Sequence, residues 1–207
     1  GFTTYHVYAN TTNAEDFVSA VYADSDSPGY LSSLGTVFQS EPSGFDFGTG
    51  PNPLFFTTFP NSQYDSWFSI GVMSSEDEGE LSNVGMENAL ADFNSTGNFY
   101  IDDAIGGSWF VPGFPCNNAS ATDFVLDSLV FAPYDYTNPC LDYIVEGMDT
   151  LCVDSVFHPY TELELCQQNP AYGGADNKVL LAQITTDDSF TGVFNVQIFV
   201  NGLQGNT

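Results

Sequence analysis

Histidine occurs twice in 207 residues, His6 inside an alternating apolar run and His158 ahead of Pro159. Neither stands in a GxSxG turn or an HExxH pair, the spacings that set a nucleophile beside its base or two imidazoles on zinc. Both read as strand or loop residues bonded to a neighbour. Carboxylates are abundant, and a facing pair of them could hydrolyse a glycoside. Glu76-Asp77-Glu78-Gly79-Glu80 and Glu162-Leu163-Glu164 are the candidates. The Ser- and Gly-rich surroundings of the first make it a solvated charge run, so no catalytic residue is assigned and the chain is expected not to be an enzyme. Calcium is the one cofactor these acids suit, because loops such as Asp24-Ser25-Asp26, Asp102-Asp103 and Asp187-Asp188 offer hard oxygen ligands. Asp24, Asp26, Asp102 and Asp103 are the candidate ligands. No EF-hand spacing supports them, so the pattern is unspecific.

Cys116, Cys140, Cys152 and Cys166 form an even set within one 51-residue stretch. No CxxC pair occurs and His158 belongs to no ligand series, so two disulfides fit better than zinc. Sequons for N-glycosylation stand at Asn10-Thr11-Thr12, Asn94-Ser95-Thr96 and Asn118-Ala119-Ser120. The chain begins at Gly1 with no basic leader and no apolar run long enough for a signal peptide or membrane span. Together these features lead us to expect a mature secreted protein or a fragment of a longer one, located outside the cell or on its surface.

Charge narrows the partners. Against 27 Asp and Glu stands a single cation, Lys178, for a formal net charge of −26. Nucleic acid needs clustered Lys and Arg, and an anionic membrane would repel this chain, so neither is an expected partner. Spread over a folded surface of roughly 9,400 Å², the acids would lie roughly 19 Å apart, beyond the Debye length of about 8 Å. Ordinary salt screens that spacing, and a hypersaline habitat is not required.

The elements that must carry these residues are strands. Thr3 to Ala9, Phe17 to Ala23, Ser66 to Val72, Val179 to Thr185 and Gly192 to Val200 alternate or are rich in Val, Ile, Tyr, Phe, Trp and Thr. In the last run Phe194, Val196, Ile198 and Val200 should face one way. Turn chemistry bounds the runs at Asp24 to Gly29, Pro42-Ser43-Gly44 and Gly48 to Pro51, and Asp187-Asp188 reads as a hairpin turn. Helical signals are confined to Asn83 to Phe93 and to a short segment that Asp123 could cap, ending at Val130. Trp67 and Trp109 each precede a Phe, so one ring of each pair should face outward. Many short strands predict an all-β chain, an antiparallel, jelly-roll-like β-sandwich forming one domain over 1–207, with a cysteine-bearing insertion at 116–166.

The segments Thr4 to Asn10, Ser19 to Asp24, Tyr64 to Gly71, Gly106 to Phe110, Val179 to Asp187 and Gly192 to Gln197 resemble, in this order, a β-rich domain of secreted and cell-surface proteins of marine bacteria and microalgae. The resemblance covers about residues 3 to 115 and 171 to 200. It implies an extracellular structural or adhesive module and carries over no catalytic residue. The cysteine-bearing stretch departs from it. Four cysteines pair in three ways and loop entropy does not choose among them. The resemblance puts Pro115 and Asn169 at the ends of what is elsewhere a short loop, which implies the nested pairs Cys116 to Cys166 and Cys140 to Cys152.

The expected function is that of an extracellular structural subunit that packs against copies of itself or sister domains in a filament, sheath or cell-surface layer. Nineteen Phe, eleven Tyr and two Trp are more than such a domain readily hides, and aromatics are enriched at interfaces. The alternative is a carbohydrate-binding or adhesive module of a larger secreted protein, with a glycoside hydrolase third. Free edges on long strands would favour assembly, and a concave face bearing Trp and Tyr would favour sugar.

Overall fold

Runs of β-branched and aromatic residues become strands because such side chains pack well on a pleated surface. The computed structural model describes residues 1–40, 44–112, 124–133, 142–146, 149–161 and 169–203. In chain order the strands are β1 (Thr3–Asn10), β2 (Phe17–Ala23), β3 (Gly29–Ser33), β4 (Trp67–Phe68) and β5 (Ser82–Val84). Helix α1 (Glu87–Thr96) follows, then β6 (Phe99–Ile101), β7 (Gly107–Phe110), β8 (Phe124–Pro133), β9 (Asp142–Glu146) and β10 (Asp149–Thr161). The chain ends with β11 (Lys178–Thr186), β12 (Phe190–Val193) and β13 (Asn195–Phe199). The protein is mostly β, its sheets are antiparallel, and α1 is the one α-helix among the described residues.

The chain divides into two compact units, Gly1–Pro115 with Gln167–Thr207, and Cys116–Cys166. The second holds one sheet in the order β8-β10-β9, with β10 paired to both neighbours. Its first strand replaces the short helix expected after Asp123. A run of Phe124, Val125, Leu129, Val130 and Phe131 has strand propensity, and β10 supplies the ladder.

The larger unit has three sheets, ordered β1-β11-β4, β12-β3-β6 and β13-β2-β7-β5. They meet at an aromatic cluster. Phe68 of β4 lies 4.6 Å from Phe93 of α1, 5.2 Å from both Phe99 of β6 and Trp109 of β7, and 6.4 Å from Phe194. The Trp109 indole N–H donates to the Ser69 carbonyl at 3.0 Å, so the buried ring keeps no unpaired donor. Each such ring contributes up to about 3 kcal/mol of burial energy. Ala89, Leu90 and Phe93 seat α1, and Gly97 ends it in the left-handed conformation, donating its N–H to the Phe93 carbonyl. The helix starts later than Asn83 because Ser82 to Val84 pair with β7 instead.

Other expectations change here for stated reasons. The run Ser66 to Val72 is a strand only at Trp67–Phe68. Beyond it Ser69 and Gly71 still donate to Leu181 and Leu180, but β11 bulges at Leu181 and regular pairing is lost. Trp67 and Phe68 are both buried, so neither faces out. The cluster covers Phe68, and the loop at Gly48 closes over the Trp67 ring. Trp109 is buried as well and Phe110 is half-buried. Asp187-Asp188 is not a hairpin turn, since β11 and β12 belong to different sheets. It is a corner that the Asp187 carboxylate secures by accepting the Thr36 N–H at 2.7 Å. The run Gly192 to Val200 breaks at Phe194, which enters the cluster, and Phe199 at its end is buried with its ring stacked on Phe17 at 6.3 Å.

Candidate interaction edge and cleft

Strand β1 lies at the edge of its sheet. Among the described residues it pairs with β11 alone, from Thr3 opposite Thr186 to Asn10 opposite Lys178. The single irregularity falls between Val7 and Tyr8, and its extra residue, Leu181, is on β11, so β1 itself stays regular. All but Val7 and Ala9 are exposed, which is unusual for a strand of eight residues. Natural edges are guarded by charge, proline or an outward bulge. Here residues 1–14 contain no Asp, Glu, Lys, Arg or Pro.

On one face of β1, Thr4 and Thr185 bond through their hydroxyls at 2.8 Å. Next to them the His6 Nε2 donates to the Gln183 Oε1 at 2.9 Å, which fixes the imidazole by a cross-strand bond and gives it no nucleophile to activate. Gln183 passes its own amide protons to the backbone carbonyls of Asp65 at 2.8 Å and Gln63 at 3.1 Å. Tyr8 continues the row, with the Lys178 ammonium 5.9 Å from its ring centroid. On the opposite face Tyr5 packs edge-on against Phe190 at 5.5 Å.

A cleft of about 350 Å³ opens at the start of this strand, lined by Phe2, Thr4, Phe38, Asn61, Tyr64 and Thr185. Phe2 and Phe38 touch edge-to-face at 5.8 Å. Phe2 is 51% and Tyr64 48% exposed, so their rings meet solvent. Residues 47–64, which bring Asn61 and Tyr64, are also free of charge. Asp65, one residue on, is fully buried. Its carboxylate accepts the N–H groups of Ser40 at 2.6 Å and Phe45 at 2.5 Å. Burial nevertheless dominates and, with the nearby Asp46 charge, pushes its pKa up to about 6.

The residues singled out from the sequence lie elsewhere. One oxygen of Asp24 accepts the N–H groups of Asp26 and Ser27, and one of Asp103 accepts those of Ile105 and Gly106. These acids cap their own turns. Asp26 and Asp102 are exposed, and among the described residues no three acid, histidine or cysteine side chains gather around a point that could hold a metal. Asp77 of the acidic run accepts from Met73 and Ser74 in an exposed loop. Asn10 is exposed at the end of β1, and Asn94 is exposed on α1, its amide donating to Asp46 at 2.7 Å. Asn118, Glu162, Glu164 and the side chains of all four cysteines lie outside the described residues, as do both proposed disulfides.

Phe2, Phe38, Asn61 and Tyr64 were not anticipated. Phe2 lies in a charge-free window, 1–14, and Asn61 and Tyr64 in another, 47–64, but windows as long occur at 27–40, 104–122 and 189–207, so the sequence did not single these residues out. No family model, no curated protein and no solved structure matches this chain. No helix among the described residues is long and apolar enough to cross a membrane.

Proposed function

We propose that this protein is a non-catalytic, secreted structural subunit whose larger unit is an antiparallel β-sandwich, and that it joins copies of itself or sister domains by adding strands at β1. The observation that carries this reading is the unguarded edge: eight residues paired on one side, exposed almost throughout, with no charge or proline. Charge supports the choice of edge. With one cation per chain, ion pairs between two copies are few, so contact is favoured where carboxylates are missing, and residues 1–14 are such a place. The resemblance to β-rich domains of cell-surface proteins points the same way. It also supports an extracellular setting and the nested disulfides of the insertion, and the sequons at Asn10, Asn94 and Asn118 support a glycosylated surface.

Sedimentation velocity on the intact chain tests the proposal. The wild type should sediment as larger species in a concentration-dependent way. Thr3→Glu with Tyr5→Glu should sediment as a monomer with an unchanged far-ultraviolet spectrum, because like charges on added strands repel. A wild type that stays monomeric at high concentration, or a double variant that assembles equally well, would refute the reading.

A further inference from the structure

The geometry points to a second property, independent of assembly: the cleft between the start of β1, Phe38 and the Asn61–Tyr64 turn binds a pyranose unit of a neutral glycan. Among the described residues, three rings and three hydroxyl- or amide-bearing side chains line it, and the Tyr64 phenol is the one ionisable group. That composition matches a sugar, whose C–H faces lie on aromatic rings while its hydroxyls need donors and acceptors. The Asn61 amide and the Tyr64 hydroxyl are both on exposed residues and bond to no other described side chain or backbone group, so they are available. The Thr4 and Thr185 hydroxyls hold each other in place on the floor and can each accept a further bond.

The charge of the chain selects among ligands that like aromatic surfaces. An anionic ligand, whether phosphate, sulfate or uronic acid, would meet a protein of net charge −26 whose single Lys or Arg, Lys178, is not among the described residues lining the cleft. A quaternary ammonium would be drawn by that charge, but a cation site needs rings arranged around a gap. Phe2 and Phe38 instead pack against one another at 5.8 Å, and no carboxylate joins them among the described residues. What remains is an apolar floor of angled rings with polar margins, whose Phe2 and Tyr64 rings are each open to solvent for a sugar face to lie on. The size of the cleft, about 350 Å³, lies at the lower end of the range for small-molecule sites, so it takes one or two sugar units of a longer chain.

Amide chemical-shift titration of the intact, isotope-labelled chain tests the inference. The probes are neutral tetrasaccharides of glucan, mannan, xylan and galactan type, a tetragalacturonate and choline. At least one neutral tetrasaccharide should shift the amides of Thr4, Asn61, Tyr64 and Thr185 at concentrations up to about 10 mM. Tyr64→Ala should weaken that binding by at least about tenfold, the loss expected for one stacked ring, while Tyr64→Phe keeps most of it. Tyr64 is not on β1, so Tyr64→Ala should leave sedimentation unchanged, and Thr3→Glu with Tyr5→Glu should leave sugar binding unchanged. Failure of either property is thereby separable from failure of the other. No shift with any neutral sugar, tighter binding of tetragalacturonate or choline, shifts centred away from these four residues, or full binding by a folded Tyr64→Ala protein would each overturn it.

Discussion

The carboxylate of Asp16 accepts the backbone N–H of Asn201 at 2.9 Å, joining residues 185 positions apart. Its other bonds are local: the N–H groups of Thr12 and Asn13, each at 2.9 Å, and the Asn13 side-chain amide at 3.2 Å. Burial by itself would raise the pKa of this group, but the four bonds together hold it below the ordinary Asp value.

Asp16→Ala should therefore destabilise the protein by roughly 2–4 kcal/mol, because several donors lose a charged acceptor at once. The folded-state pKa is depressed, so this contribution is present above the ordinary Asp pKa and is lost as pH falls through the lower, folded value. Urea unfolding of both proteins at neutral pH and near pH 3 checks it. A penalty of equal size at both pH values would show that the charge of Asp16 is not what holds the bonds.

Asp65 gives the opposite sign. Its pKa rises from 3.8 to about 6 in the folded state, so the native protein takes up a proton there more readily than the unfolded chain. The favourable contribution is complete below pH about 4 and fades as pH rises toward 6, a span of about 3 kcal/mol. Asp65→Asn cannot titrate and should flatten that part of the profile, while losing one acceptor for the Ser40 or Phe45 N–H. The difference between the melting curves of the two proteins, followed from pH 4 to 7, isolates this carboxyl from the other acids. A pH-independent difference would contradict the assignment.

Gly97 and Gly174 both have φ in the left-handed region, at 74° and 60°, yet they should respond differently to alanine. A Cβ on Gly174 meets nothing closer than 4.0 Å, so Gly174→Ala carries backbone strain of about 1 kcal/mol. A Cβ on Gly97 would fall 2.6 Å from the Val37 Cβ, and Val37 is buried and bridged to Thr186. Gly97→Ala should cost a further 1–3 kcal/mol, roughly, for that overpacking. Calorimetric melting of the two variants side by side gives the ranking, and equal losses would mean that the α1 terminus yields without strain.

Glycosylation can be read directly on material from the native source. Asn10 and Asn94 are exposed and stand in sequons, as does Asn118. The intact mass should drop on enzymatic deglycosylation, with glycopeptides mapping to Asn10 and Asn94. Unmodified peptides at both positions would remove this part of the proposal.

Sequence alone determined the β character of the chain and the positions of β1, β2 and β11. The apolar run Phe17 to Ala23 stops at the turn residues Asp24 to Gly29, and β2 has the same limits, because a strand buried on both faces reads as a run of β-branched and aromatic residues that turn chemistry ends. It also determined the net charge of −26, a sum that folding does not alter. Tertiary structure alone decided what adjacent segments do to one another. Trp67 could not be read as buried from its own strand, because what covers it is a loop with Gly48 in it. Asp187-Asp188 looked like a hairpin turn until its flanking strands were seen in separate sheets. The cleft is the clearest case. Phe2, Phe38, Tyr64 and Thr185 come from four distant parts of the chain, and β1 pairing with β11 brings Thr4 to Thr185. Periodicity reports only neighbours along the backbone, whereas a site of this kind is made by long-range pairing.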